Sequence, residues 1–245
     1  MYIGDMAHNE DTAHQLFSKF QDYLGQFVYG GIDGCVTTFA VVSGAVGANL
    51  DSSIIIILGF ANLLADGFSM SVGAYLSAKS ERDNYDKHKR TEYYEIEHYP
   101  EVEKEEVRVA YRAKGFEGEL LEQVVTVITS DKDRWADDMM ANELQLIQDS
   151  KSPLAIGIVT YTSFLMIGLI PLSVYLWDYF VGFPGNVFLW ACLLTFTGFS
   201  IIGFLKSYVT GVNRWRGVFE TLVLGALAAG VSYAVGDILE RWIVG

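Results

Sequence analysis

Two carboxylates stand in stretches that are otherwise apolar. Asp33 is the only charged residue between Phe27 and Leu50, and Asp66 interrupts the run from Ile54 to Glu81, IIIILGFANLLADGFSMSVGAYLSAKSE. A carboxylate near a bilayer's midplane costs roughly 2.5–3.5 kcal/mol on insertion scales, so it usually faces a partner helix or a wet pathway. Met70 follows Asp66 by four residues, which puts a hard oxygen ligand and a soft thioether on one helix face. A second set of acids lies downstream. Glu92 and Glu95 are three apart, Glu103 and Glu106 repeat the spacing, and Met139 and Met140 precede Glu143 by four and three residues. Each glutamate pair points its carboxylates from one face of a helix, where like charges repel unless a cation sits between them. Divalent metal ions bind through such oxygens, and sulfur favours the softer transition metals over magnesium and calcium.

The same residues carry plainer readings. Asp33 and Asp66 would also serve to hydrogen-bond neighbouring helices, and acids on a charged helix usually form a solvated face that nearby Lys and Arg neutralise. A calcium loop fits poorly: Asp131 and Asp133 begin suggestively, but Ala136 stands at the turn-glycine position and Asn142 where a bidentate glutamate belongs. Glu95 and His98 form Glu-x-x-His, which di-iron bundles supply twice, and the second copy is missing. That keeps a membrane-anchored iron oxidase or metal sensor as the alternative of another class, and leaves the role of His98 open.

These side chains need helices to hold them. Half of the 245 residues are hydrophobic, and the pattern predicts an all-α polytopic membrane protein with five transmembrane helices. The spans fall at about 27–50, 54–80, 154–177, 187–205 and 219–239, with Pro171 expected to kink the third. Counting from the turn Asp51-Ser52-Ser53, Asp33 and Met70 come to nearly the same depth, with Asp66 about one turn nearer the far side. In the first span Gly30 and Gly34 stand four apart and Gly44 and Gly47 three apart, small-residue spacings that suggest a helix dimer interface. Residues 1–26 read as a flexible or amphipathic cytosolic lead-in in which His8 and His14 are solvated, and 151–245 hold the last three spans. Cys35 and Cys192 fall in apolar spans, so no disulfide framework is implied.

Between the second and third spans, residues 81–150 form an acidic insert with nineteen Asp or Glu against ten Lys or Arg. Its punctuation predicts three helices beyond the extended second span: one opened by Pro100 and stopped at Gly115, one over about 118–129, and one capped by Ser130 or Asp131 and running to about Gln148. Such an insert repels nucleic acid and suits cations. Loops at 51–53 and 178–186 lack Lys and Arg, whereas Lys206, Arg214 and Arg216 lie between the fourth and fifth spans. The positive-inside rule therefore puts the N-terminus and the insert on the cytoplasmic side. With no recognisable targeting segment, a prokaryotic cytoplasmic membrane is favoured over a vacuolar one.

The combined pattern resembles the vacuolar iron transporter family. It is carried by Asp33-Gly34, the run Ala65-Asp66-Gly67-Phe68-Ser69-Met70, the stretch from Tyr75 to Glu81, Met139-Met140-Ala141-Asn142-Glu143-Leu144, and Tyr208-Val209-Thr210-Gly211. The resemblance implies homodimers of five-helix protomers that move ferrous iron out of the cytosol in exchange for protons. The alternative from the residues themselves is the same architecture tuned to Mn2+ or broadly to divalent ions such as Zn2+ or Co2+, because carboxylate and thioether preferences overlap. The resemblance also implies that Asp33 and Met70 line an ion path between two protomers. Glu92, Glu95, Glu103, Glu106, Met139, Met140 and Glu143 match the ligands of a cytosolic domain that collects metal. One departure stands out. The eukaryotic pattern has Glu where this chain has Asn62 and Gly where it has Asp66, so the membrane carboxylate is moved by one turn.

Overall fold

A computed structural model describes the backbone of residues 3–243 and the side chains of residues 21–243. Every regular element in it is helical, and the long apolar runs account for most of them. The chain divides into two units, one made of the residues up to Tyr75 and from Lys151 onward, the other of Leu76–Ser150.

The first unit holds α1 (Ile3–Gly47), the opening half of α2 (Ser52–His98), α6 (Pro153–Gly168), α7 (Ile170–Val181), α8 (Val187–Thr210) and α9 (Arg214–Ile243). Four helices are long and apolar enough to cross a membrane, counting α1 from Gln21, and the bent pair α6–α7 makes a fifth if it is one span. The bend is 49°, and its cause is local. Pro171 sits in the first turn of α7, where its ring and missing N–H break the ladder carried over from α6. Asn186 caps α8 by accepting from the Leu189 N–H at 3.0 Å, and Gly211 closes that helix in the left-handed region at φ 68°.

Helix α1 packs against α6, α7, α8 and α9, and its glycines make this possible. A methyl group at Gly30 would stand 2.6 Å from the Thr160 carbonyl oxygen of α6, and one at Gly34 would collide with the backbone at Phe164. Gly47 and Gly236 make the corresponding close approaches between α1 and α9. The helix-dimer reading of these glycines is therefore corrected: the partners they admit are α6 and α9 of the same chain. Cross-helix polar contacts are few. The Ser71 hydroxyl donates to the Gly157 carbonyl at 2.8 Å, tying α2 to α6, and Ser163 donates to the Phe27 carbonyl. Phe164, Leu63 and Leu172 fill one apolar cluster, and Cys35, Phe39 and Phe199 another.

The second unit holds the later half of α2 with α3 (Pro100–Ala113), α4 (Gly118–Thr129) and α5 (Lys132–Asn142). Pro100 starts α3 without needing a donor, Glu101 and Glu103 favour its positive end, and Gly115 leaves it at φ 93°. Asp131 caps α5 by accepting from the Arg134 N–H at 2.9 Å. Ile96, Val107, Leu121, Val125, Ile128, Trp135, Ala136 and Met139 close the core.

Two predicted boundaries move. The lead-in before residue 27 is helical backbone from Ile3, continuous with the first span; the side chains of His8 and His14 lie outside the described ones. Helix α5 ends at Asn142 rather than near Gln148, because Leu146 N–H folds back to the Met140 carbonyl at 2.8 Å and Gln145 takes φ 54°.

Candidate metal centre

The last turns of α2 and the first turns of α3 are joined through Tyr99 alone. Pro100 cannot continue the α2 ladder, so the chain turns there and a second helix begins at once. That turn brings together acids from both helices. Carboxylate oxygens of Glu92, Glu95 and Glu103 all lie within 4.8 Å of one another. Glu92 and Glu103 are each only 4% exposed, and one oxygen of each is buried with no hydrogen-bond partner. An unpartnered buried carboxylate oxygen is costly when ionised, a cost that either a proton or a bound cation would remove.

The electrostatics agree with the geometry. Burial, then the fields of Glu143, Glu95 and Glu106, push the Glu92 carboxyl up to about 7. Burial, then Glu106, Glu92, Glu95 and Glu143, push Glu103 up to about 7 as well. Glu143 at the end of α5 is raised in the same direction by burial, Glu106 and Glu95. Five acids thus share one field. Three of the unit's cations form ion pairs, Lys89 with Asp137, Lys104 with Glu101, and Arg108 with Glu105 and Glu122. None of these ion pairs reaches the five glutamates, which is the outcome opposite to a neutralised, solvated face.

The sulfurs are mixed in role. Met139 and Met140 are both essentially inaccessible, at 2% and 1% exposure, but Met139 is part of the apolar core around Trp135. His98 stands apart from the acids. Its Nδ1 lies 2.8 Å from the Tyr94 carbonyl oxygen, its ring stacks on Tyr94 with centroids 4.0 Å apart, and the residue is exposed. A polar network that sequence reading missed holds α5 to α3: Tyr111 donates to Asp138 Oδ1 at 2.7 Å, and Asn142 donates to the same oxygen at 2.8 Å. The only linear trace of it is the Asp138–Asn142 spacing of four beside the methionine pair.

In the membrane unit, Asp33 and Asp66 are both half-buried, and each stands within the other's electrostatic reach. Among the described residues no hydrogen bond or ion pair reaches either carboxylate; the Thr37 hydroxyl, one turn on, donates to the Asp33 backbone carbonyl instead, at 2.9 Å. Asp33 lies on a half-open stripe of α1 with Tyr29 and Thr37, and Asp66 on a half-open stripe of α2 with Asn62 and Met70. The Asn62 amide nitrogen is buried without a partner. Met70 also packs on the cluster around Phe164 and Leu172.

A family model described as the VIT family matches residues 24–237. The chain belongs to the VIT family. Its sequence is 36% identical over 226 residues to the vacuolar iron transporter of Toxoplasma gondii, covering 89% of this chain and 75% of that one. It is 32% identical over 244 residues to the vacuolar iron transporter of Plasmodium falciparum, covering 97% and 89%. Against vacuolar iron transporter 1 of Arabidopsis thaliana the identity is 31% over 221 residues, covering 90% and 87%. VIT membership makes this multi-pass membrane chain a transporter, not an enzyme.

Proposed function

We propose that this protein is a proton-coupled divalent-metal transporter that moves ferrous iron out of the cytosol, by export or into a storage compartment. The observation that carries the reading is the group of Glu92, Glu95 and Glu103, acids drawn from two helices, partly buried, and left without a cation of the protein's own. In this reading, residues 81–150 form a cytosolic unit that captures the ion, with Glu106, Glu143 and Met140 completing the donor set. Asp33, Asp66 and Met70 then pass it across the bilayer, along a face closed by a second copy of the chain. Asp66 is the proposed proton carrier, because a metal ion arriving between two facing carboxylates expels a bound proton.

The relatives named above are eukaryotic and carry "vacuolar" in their names. This supports a vacuole-type membrane over the prokaryotic cytoplasmic membrane expected from the sequence. Met139 is occupied in the apolar core, which leaves a donor set dominated by oxygen. That composition favours, as a second reading, a broader transporter that also accepts Mn2+, and Zn2+ or Co2+ less readily.

The test is metal uptake into sealed proteoliposomes under an imposed pH gradient, with iron(II), manganese(II) and zinc(II) compared and Asp33→Ala run beside the intact chain. Gradient-dependent uptake that Asp33→Ala abolishes is the expected result. No uptake of any ion by folded, inserted protein would overturn the proposal in favour of a sensor or oxidase.

A further inference from the structure

We propose that the groove between α8 and α9 is a binding site for an anionic phospholipid, with an acyl chain in the groove and the lipid phosphate on Arg214. The groove is a shallow, open trough of about 620 Å³, walled by Leu193, Phe196 and Ser200 of α8 and by Phe219, Leu222 and Ala226 of α9. That volume is within the roughly 300–1,000 Å³ of ordinary ligand sites. The wall makes no polar demand on an occupant. The hydroxyls of Thr197 and Ser200, which also line it, donate to the carbonyls of Leu193 and Phe196 in their own helix at 2.9 and 2.8 Å. A hydrocarbon chain suits such a surface.

What selects the headgroup lies at one end. Residues 193, 196, 197 and 200 share one face of α8, and Phe204, four residues beyond Ser200, continues it. The Arg214 guanidinium lies over the Phe204 ring, 5.3 Å from its centroid. Arg214 is exposed and, among the described residues, forms no ion pair, whereas its neighbours Lys206 and Arg216 share Glu220 at 3.0 Å each. Trp215, four residues before Phe219 on the groove face of α9, is 83% exposed, as an indole at the membrane–water boundary would be. At the opposite end of α9 the cation Arg241 is balanced by Asp237. An unneutralised guanidinium at the mouth of an apolar groove, in a cluster of three cations against one acid, complements a phosphate, which Arg binds through its fork of donors. The chain carries a net charge of −13, so diffuse attraction between protein and lipid does not explain a preference for anionic headgroups. Such a preference would have to come from a local site.

The experiment is native mass spectrometry of the full chain in detergent, titrated with phosphatidylglycerol or phosphatidylcholine. Arg214→Gln, Ala226→Phe and, as a control, Arg241→Gln are compared with the unaltered protein. The expected result is preferential retention of phosphatidylglycerol, weakened about tenfold by loss of the charged hydrogen bonds in Arg214→Gln. Ala226→Phe, which fills the groove, should weaken both lipids, and Arg241→Gln neither. Equal retention of the two lipids, full retention by Arg214→Gln, or complete displacement by glycerol phosphate would each overturn the proposal. So would a changed oligomer mass in Ala226→Phe, which would mean that a second copy covers the groove.

Discussion

Glu92 and Glu103 are held in the folded chain with carboxyls raised to about 7, by burial first and neighbouring acids second. The folded apo protein therefore binds these protons more tightly than the unfolded chain does. The stability that follows is fully present below the ordinary glutamate range, and it is lost as pH rises through about 7. Metal binding at the proposed site would run the other way. The ion needs both carboxylates ionised, so its apparent affinity should climb with pH and level off above about 7. Hydrogen exchange of segment 100–142 in the full chain measures both effects, with manganese(II) as a probe that resists oxidation. Protection corrected for intrinsic exchange should fall with rising pH without metal, and added metal should restore it. In Glu103→Gln the apo segment should gain roughly 1–3 kcal/mol of protection at alkaline pH, since a buried repulsion is removed, and should no longer respond to metal. Affinity that stays flat across this range would mean that the glutamates do not act as ligands. The spacing of three within each pair was legible in the chain. What was not legible was which acids would be desolvated, because that depends on Tyr99 and Pro100 turning α3 against α2.

Among elements, α1 shows where linear reading stops. The glycine spacings announced close helix packing, and packing is what they do, but a spacing does not name its partner. Only the fold assigns Gly30 and Gly34 to α6 and Gly47 to α9. The same limit explains α5. Nothing like Gly or Pro marks Asn142 as its end, since the stop comes from Leu146 turning back to Met140. By contrast Pro171 was readable as a bend, because proline acts through its own ring and missing donor. Glycines in one helix should then differ sharply on substitution. Gly34→Val places a branched side chain into the Phe164 backbone and should abolish recovery of monodisperse protein, while Gly25, with open space beside it, should accept Ala and gain up to about 1 kcal/mol from helix propensity. Size-exclusion profiles and thermal melts of the two purified variants check this. Equal behaviour would mean that the α1–α6 approach is not what holds the unit together.

At the scale of the whole molecule, the membrane carboxylates leave a problem that one chain does not solve. Asp33 lies on a half-open stripe of α1 one turn from Tyr29, which is 63% exposed, and Asp66 on a half-open stripe of α2 with Phe68, also 63% exposed, nearby. Facing hydrocarbon, a hydrated cation moving past these acids would have one polar wall and one apolar one, at a cost of several kcal/mol. A second copy applied to the same face by a two-fold axis would supply matching carboxylates opposite the first pair and exclude lipid from the route. This predicts that Tyr29→Cys, in a background without Cys35 and Cys192, is captured at twice the chain mass by a short bifunctional thiol reagent in membranes. Trp177→Cys, equally exposed on α7 at 60%, should remain at single mass. Capture through Trp177 but not Tyr29 would put the partner on the other side of the bundle and leave Asp33 facing lipid. The transport path would then have to run inside one chain, past the buried Asn62 amide, and Asn62→Leu rather than any contact between copies would be the substitution that stops metal movement.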